Sequence, residues 1–209
     1  FGHQVISNFL KEKIDNLKIL PVSKQIKNFD TNHKSKNNSL YILGISAFYH
    51  DSAASLIKDG EIIAAVQEER FSRIKNDRQF PTSSINYCLE KANIQQEDLS
   101  AIVYYDNTYL TLERMLWGFA QTIPNSEEAW LRSMPSWIQY KLFLPQLIRK
   151  KLKYSGKILH NLHHRSHLAS AFFASPFRKA AVLTVDGVGE WATASIGIGE
   201  GNNLTMLKE

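Results

Sequence analysis

The chain has 209 residues, 44% of them hydrophobic and 22% charged, which is enough for one or two buried cores. A net charge of +5, much of it from the Lys-rich N-terminal segment, is weak evidence for nucleic acid, and no apolar run approaches the ~18 residues of a membrane span. One cysteine, Cys88, excludes an internal disulfide framework and fits a reducing compartment, the cytoplasm.

Residues 1–39 carry one short amphipathic stretch (Phe9, Ile14, Leu17, Ile19) and then a polar run rich in Lys and Asn, and read as a linker or disordered leader. No secretory signal is visible at the start. The first methionine is Met115, so the chain reads as a fragment. From Leu40 the pattern changes. Leu40 to Ser46 is an apolar strand, Ala47 to Asp51 a polar loop, and Ser52 to Ile57 a second strand. Lys58-Asp59-Gly60 signals a hairpin turn into a third strand, Glu61 to Glu68. Pro81 and Thr82 open a helix that runs to about Asn93, and Ala101 to Tyr105 is another buried strand. Cys88 falls in the apolar pattern of Ile85, Leu89 and Ala92, which predicts a core thiol and not a nucleophile. Residues 109 to 154 are helical in pattern, with Trp117, Trp130 and Trp137 and with breaks at Pro124, Pro135 and Pro145. Amphipathic packing accounts for them; a substrate-shaping insertion is the alternative.

Four of the seven histidines lie between His160 and His167. His163 and His167 are four apart, so a helix puts them on one face about 6 Å apart along its axis, where two imidazoles can grip one metal ion. A solvated polar turn is the other reading. Position 164 is His where a zinc-protease helix carries Glu, which argues against that chemistry. His160 and His164 point elsewhere on such a helix and are expected to tolerate replacement better than His163 as far as bound metal and transfer are concerned. Ala180 to Val185 then reads as a buried strand that delivers Asp186 to the rim of a sheet, a third ligand candidate.

After Asp186-Gly187-Val188-Gly189-Glu190 the plan of the first half recurs: a strand from Trp191 to Ile198, a turn over residues 199–203, and a third strand from Leu204. The repeat is organisational, with low residue identity. Two three-stranded meanders with helices resemble the actin-like ATPase superfold, an α/β architecture with duplicated ribonuclease-H-like lobes whose hairpin loops hold nucleotide phosphates. The expected division is a leader at 1–39, a first lobe at 40–179 with a helical insertion at about 109–154, and the start of a second lobe at 180–209. The second lobe is truncated at Glu209, so one face of its meander should be exposed and apolar.

Several segments together resemble the N-terminal part of the O-carbamoyltransferases of nodulation-factor and antibiotic biosynthesis. They are Leu43-Gly44-Ile45, His50-Asp51-Ser52-Ala53-Ala54-Ser55-Leu56, Asp59-Gly60, and Glu68-Glu69-Arg70-Phe71-Ser72-Arg73-Ile74-Lys75. Phe80-Pro81, the run from His163 to Phe173, and Thr184-Val185-Asp186-Gly187-Val188-Gly189-Glu190 complete the series. The resemblance implies an actin-like domain related to the tRNA threonylcarbamoyl-transfer enzymes. It implies a further C-terminal domain, missing here, that makes carbamoyl-adenylate from carbamoyl phosphate and ATP. The carbamoyl group would then pass to a hydroxyl of a small-molecule acceptor, and the fragment alone would be inactive. On the same likeness His163, His167 and Asp186 ligate a divalent metal (iron, manganese or zinc), with a further Asp beyond Glu209. His50 and Lys75 sit at the transfer site, and Asp51, Arg73, Gly187 and Gly189 bind substrate or phosphate.

Those residue types suit the chemistry. A divalent cation polarises a carbamoyl carbonyl, and Lys75, in a run with Arg70, Arg73 and Arg78, supplies positive charge for a phosphate. His50 could take the proton of the acceptor hydroxyl. The competing readings are a solvated basic loop and a loop histidine bonded to backbone. Ile74 and Asn76 stand where basic or His residues are expected, so the field around Lys75 is weaker. The alternative functions are tRNA threonylcarbamoyl transfer and a non-catalytic fragment. Neither the acceptor nor the identity of the metal is written in the residues.

Overall fold

The structure is a computed structural model that describes residues 39–122, 125 and 127–209. The expected leader (all but Ser39) and the break at Pro124 lie outside those residues. The described chain forms two compact units, residues 39–105 with 139–161, and residues 106–138 with 162–209. Among the described residues no helix is long and apolar enough to cross a membrane.

The first unit is an α/β unit around a five-stranded sheet. Strands β1 (Tyr41–Ser46), β2 (Ala53–Lys58), β3 (Glu61–Gln67), β4 (Ala101–Tyr104) and β5 (Lys157–His160) lie in the order β3-β2-β1-β4-β5. β1, β2 and β3 pair antiparallel, whereas β4 and β5 extend the sheet in parallel from β1. In β1 the period-two pattern is plain: Tyr41, Leu43 and Ile45 are buried and their neighbours are half-buried. The β2–β3 turn needs two left-handed residues in succession, and Asp59 (φ 50°) and Gly60 (φ 96°) supply them. β5 has no counterpart among the strands expected from the sequence. It is four residues long, with two apolar side chains between Gly156 and the histidine cluster, and its partner β4 is far away in sequence.

Helix α1 is a single turn (Glu69–Ser72), and α2 (Thr82–Ala92) packs on β2 and β3. The core formed with the sheet includes Leu43, Leu56, Ile85, Ile102 and Tyr104. Cys88 lies in it, fully buried, as its spacing predicts. α2 starts after Pro81, which provides no side-chain cap. Glu68 does so from outside: Oε1 accepts the N–H of Ser83 at 3.0 Å, and Oε2 accepts the N–H of Ser84 at 2.8 Å and its hydroxyl at 2.7 Å.

Helices α3 (Thr108–Thr122) and α4 (Glu127–Trp137) belong to the second unit, and a π-helical turn, Ile138–Leu142, leads to α5 (Leu144–Leu152) in the first. The expected break at Pro135 does not occur. Pro135 lies within α4, because one missing N–H donor kinks a helix without ending it; the widened π turn follows at once. Pro145 sits in the first turn of α5, where its missing N–H costs nothing.

The second unit carries α6 (His163–Phe173) and a second sheet of β6 (Lys179–Val185), β7 (Ala194–Glu200) and β8 (Asn203–Lys208), antiparallel in the order β6-β7-β8. α6 lies against this sheet, with Leu168 and Phe172 packed on Val182, Ala180, Leu204 and Met206. Close approach is possible because β7 presents glycines to the helix: a Cβ at Gly197 would meet Leu168 at 3.1 Å, and one at Gly199 would enter the Phe172 ring. On the other face Leu183, Val185, Ile196 and Ile198 are exposed.

Candidate functional site

Two candidate regions emerge, one in each unit. In the second unit, His163 opens α6, His167 follows one turn later, and Asp186 follows the last residue of β6. His163 Nε2 lies 2.6 Å from Asp186 Oδ2, His167 Nε2 lies 3.5 Å from the same oxygen, and the two Nε2 atoms are 3.1 Å apart. Among the described residues this is the cluster able to hold a metal ion. Donors about 2.1 Å from one ion sit roughly 3.0–3.4 Å from one another, so the 3.1 Å separation fits and the 3.5 Å one is wide by about 0.1 Å. The 2.6 Å contact is a hydrogen bond whose proton a metal would replace, with a small opening of the pair.

The electrostatics favour that donor set. Burial pushes the Asp186 carboxyl up, but hydrogen bonds from His163 and the Gly187 N–H and the nearby imidazoles outweigh it, leaving its pKa below the ordinary aspartate value. Burial, with His163 beside it, pulls the His167 pKa below that of a free imidazole. An ionised carboxylate and a neutral imidazole are the forms that ligate.

His164 is a core residue with 1% exposure, a role its expected direction on the helix did not specify. Its Nε2 lies 2.9 Å from the Ala192 carbonyl, which can only accept, so Nε2 carries the proton and Nδ1 accepts from the Thr184 hydroxyl at 2.7 Å. Ser195 Oγ then donates to Thr184 Oγ1 at 2.7 Å. His164 does point away from the His163–His167 pair, into the core: His164, Leu168 and Phe172, spaced by four, form the buried stripe of α6, and that spacing is the signal in the sequence for its burial. His160 is likewise buried, and lies on β5 and not on the helix.

The loop after Asp186 is closely tied. Asp186 N–H donates to Thr193 O at 2.8 Å, Gly187 N–H to Asp186 Oδ1 at 2.6 Å, and Gly189 N–H to Ala192 O at 2.9 Å. With both glycine amides engaged, neither is open to a phosphate as the loop stands. Gly189 is needed for a different reason: a Cβ there would lie 2.8 Å from the His164 ring. Glu190 closes the loop, buried and accepting backbone N–H groups from Asn107 and His163. Burial and the neighbouring Asp106 carboxylate push its pKa up to about 7. Composition gave no sign of this role.

In the first unit His50 and Lys75 lie on two loops laced together by backbone: Phe48 N–H donates to Arg78 O at 2.9 Å and Ser52 N–H to Asp77 O at 2.8 Å. Phe48 (φ 68°) and Asp51 (φ 52°) are left-handed non-glycine residues on either side of Tyr49 and His50. His50 is exposed, with Nδ1 2.8 Å from Asp51 Oδ2. With the Asp51 carboxyl oxygen as acceptor, Nδ1 holds the proton and Nε2 presents its lone pair. Asp51 is thereby engaged with His50. Arg73 ends α1 in a left-handed conformation (φ 58°), and it and Lys75 are exposed.

The family model for the carbamoyltransferase N-terminus matches residues 41–209. The chain belongs to this family. It is 50% identical over 173 residues, 79% of this chain and 28% of its relative, to the uncharacterized protein sll1178 of Synechocystis sp.. It is 37% identical over 166 residues to the nodulation protein NolNO of Sinorhizobium fredii, covering 78% of this chain and 23% of that one. The chain thus spans about a quarter of the length of these curated relatives. Component A of (R)-2-hydroxyglutaryl-CoA dehydratase from Acidaminococcus fermentans aligns over 81% of this chain and 48% of its own, at 16% identity and a TM-score of 0.36, a likeness that carries no argument.

Proposed function

We propose that this chain is the N-terminal part of an enzyme that moves a carbamoyl group from carbamoyl phosphate, through a carbamoyl-adenylate made with ATP, to a hydroxyl of a small-molecule acceptor. Membership of the carbamoyltransferase N-terminus family supports transfer. The adenylate, formed by a separate C-terminal domain, and the acceptor rest on the resemblance of the motifs. The observation that carries the reading is the convergence of His163 Nε2, His167 Nε2 and Asp186 Oδ2 within 3.5 Å of one another. A divalent ion held there (iron, manganese or zinc) would supply polarisation of a carbonyl or phosphoryl oxygen.

The other candidates act through their own chemistry. Asp51 fixes the His50 tautomer, so the exposed Nε2 can accept the proton of an acceptor hydroxyl as it attacks. Lys75 and Arg73, exposed on the adjoining loop, offer charge to a phosphate. Asp51 counts among the substrate-facing groups only through His50. We also read the antiparallel meanders β1-β2-β3 and β6-β7-β8 as equivalent parts of a duplicated actin-like fold; their shared order supports it. The cytoplasmic setting rests on the single, reduced cysteine.

The test uses the full-length protein. His163→Ala and His167→Ala should each lower bound metal, read by elemental analysis, together with transfer from carbamoyl phosphate and ATP. Unchanged metal content in both variants would remove the site. Lys75→Ala should slow transfer while leaving the metal in place, and parental transfer in that variant would leave the basic run a solvated face.

A further inference from the structure

Glu190 has 6% exposure and is held by backbone donors from two separate segments. Its Oε1 accepts the His163 N–H at 2.8 Å and the Asn107 N–H at 3.0 Å, and its Oε2 lies 3.1 Å from the same His163 nitrogen. Asn107 immediately precedes α3, and His163 is the first residue of α6. The residue before α6 is Leu162, whose side chain caps nothing, so Glu190 provides the acceptor that the helix start lacks. A carboxylate at this end also complements the positive pole of the helix.

The position matters because of what else His163 does. Its imidazole reaches Asp186, at the other end of the loop that Glu190 closes. The 186–193 hairpin is otherwise held to itself, through Asp186 N–H to Thr193 O and Gly189 N–H to Ala192 O. Its remaining side-chain ties to α6 are the His164 contact with Ala192 and the contacts of Asp186 with His163 and His167. We infer that Glu190 is a positioning residue for the histidine–aspartate cluster: it clamps the backbone of His163 to the loop that carries Asp186 and so sets where the His163 imidazole points. This inference rests on the metal reading only for its functional consequence; the clamp itself is a statement about the chain.

The experiment is a mutant cycle in the full-length protein, with zinc ion as the probe, its affinity read by competition with a chromophoric chelator. Glu190→Ala should weaken zinc binding about tenfold or more. Glu190→Gln keeps one oxygen able to reach both N–H groups and should recover most of that loss. Because Glu190 acts through His163, the double variant Glu190→Ala/His163→Ala should bind zinc no more weakly than His163→Ala alone. Parental affinity in Glu190→Ala, or losses that add in the double variant, would overturn the proposal. If Glu190→Ala does not fold, Glu190→Asp replaces it: one methylene shorter, it cannot reach both segments, and it should show the same loss and the same lack of additivity. A second arm needs no metal. Hydrogen exchange at the His163 and Asn107 amides should quicken in whichever of these two variants folds, and unchanged protection refutes the clamp. Should His163→Ala leave zinc affinity unaltered, the metal reading falls while amide exchange still decides the clamp.

Discussion

Glu68 caps a helix that begins many residues after it, taking both the N–H and the hydroxyl of Ser84, sixteen positions away in sequence. Removing it leaves buried donors without an acceptor, so Glu68→Ala should lower stability by about 1–3 kcal/mol in urea denaturation. Acid should act on the same link. Burial pushes the Glu68 pKa up, but the bonds from Ser84 and Ser83 outweigh it and hold it below the usual 4.5. The unfolded chain therefore binds this proton more tightly. The contribution is complete above the unfolded value and is lost as pH falls through the lower folded one. Stability measured from about pH 5 downward should fall more steeply in the parent than in Glu68→Gln.

His164→Ala should be among the costliest single changes in the second unit, at about 2–4 kcal/mol. It opens a cavity beside Gly189 and deprives the Thr184 hydroxyl of the acceptor it now has at 2.7 Å. Thermal unfolding checks this, and a variant as stable as the parent would contradict the core role assigned to His164.

Cys88 should be unreactive in the native protein. Burial pushes its thiol up to about 11, so near pH 8 only about one molecule in a thousand carries a thiolate, and that one is enclosed. Thiol titration with Ellman's reagent should proceed slowly until denaturant is added and then go to completion.

Gly199→Ala should destabilise by about 1–3 kcal/mol, because the added methyl enters the space of the Phe172 ring. Trimming that ring with Phe172→Leu in the same chain should recover part of the loss. Purely additive losses in that pair would mean the helix does not rest on this glycine.

Local pattern revealed much of this. Alternation in Tyr41–Ser46 and the Asp59-Gly60 turn specified the first meander, and the strand running into Asp186 specified the start of the second. The pairing of His163, His167 and Asp186 was legible because helical periodicity and a strand end each fix a direction. What escaped was set by distant partners. Nothing near β5 reports that β4 lies alongside it, and nothing near Glu190 reports that its oxygens return to His163. Pro135 escaped for a different reason: the residue signals a break, whereas helix continuity is decided by the surrounding turns.

The left-handed backbone at Phe48 and Asp51 sets a limit on how this protein can be improved. Each such residue costs of the order of 1 kcal/mol that glycine would not. Asp51→Gly therefore offers a more robust fold, at the loss of the carboxylate that holds the His50 ring. A selection for thermal endurance alone would drift toward that exchange, and, if His50 takes the acceptor proton as proposed, a selection for turnover would resist it. The two screens applied to one library should part company at this loop.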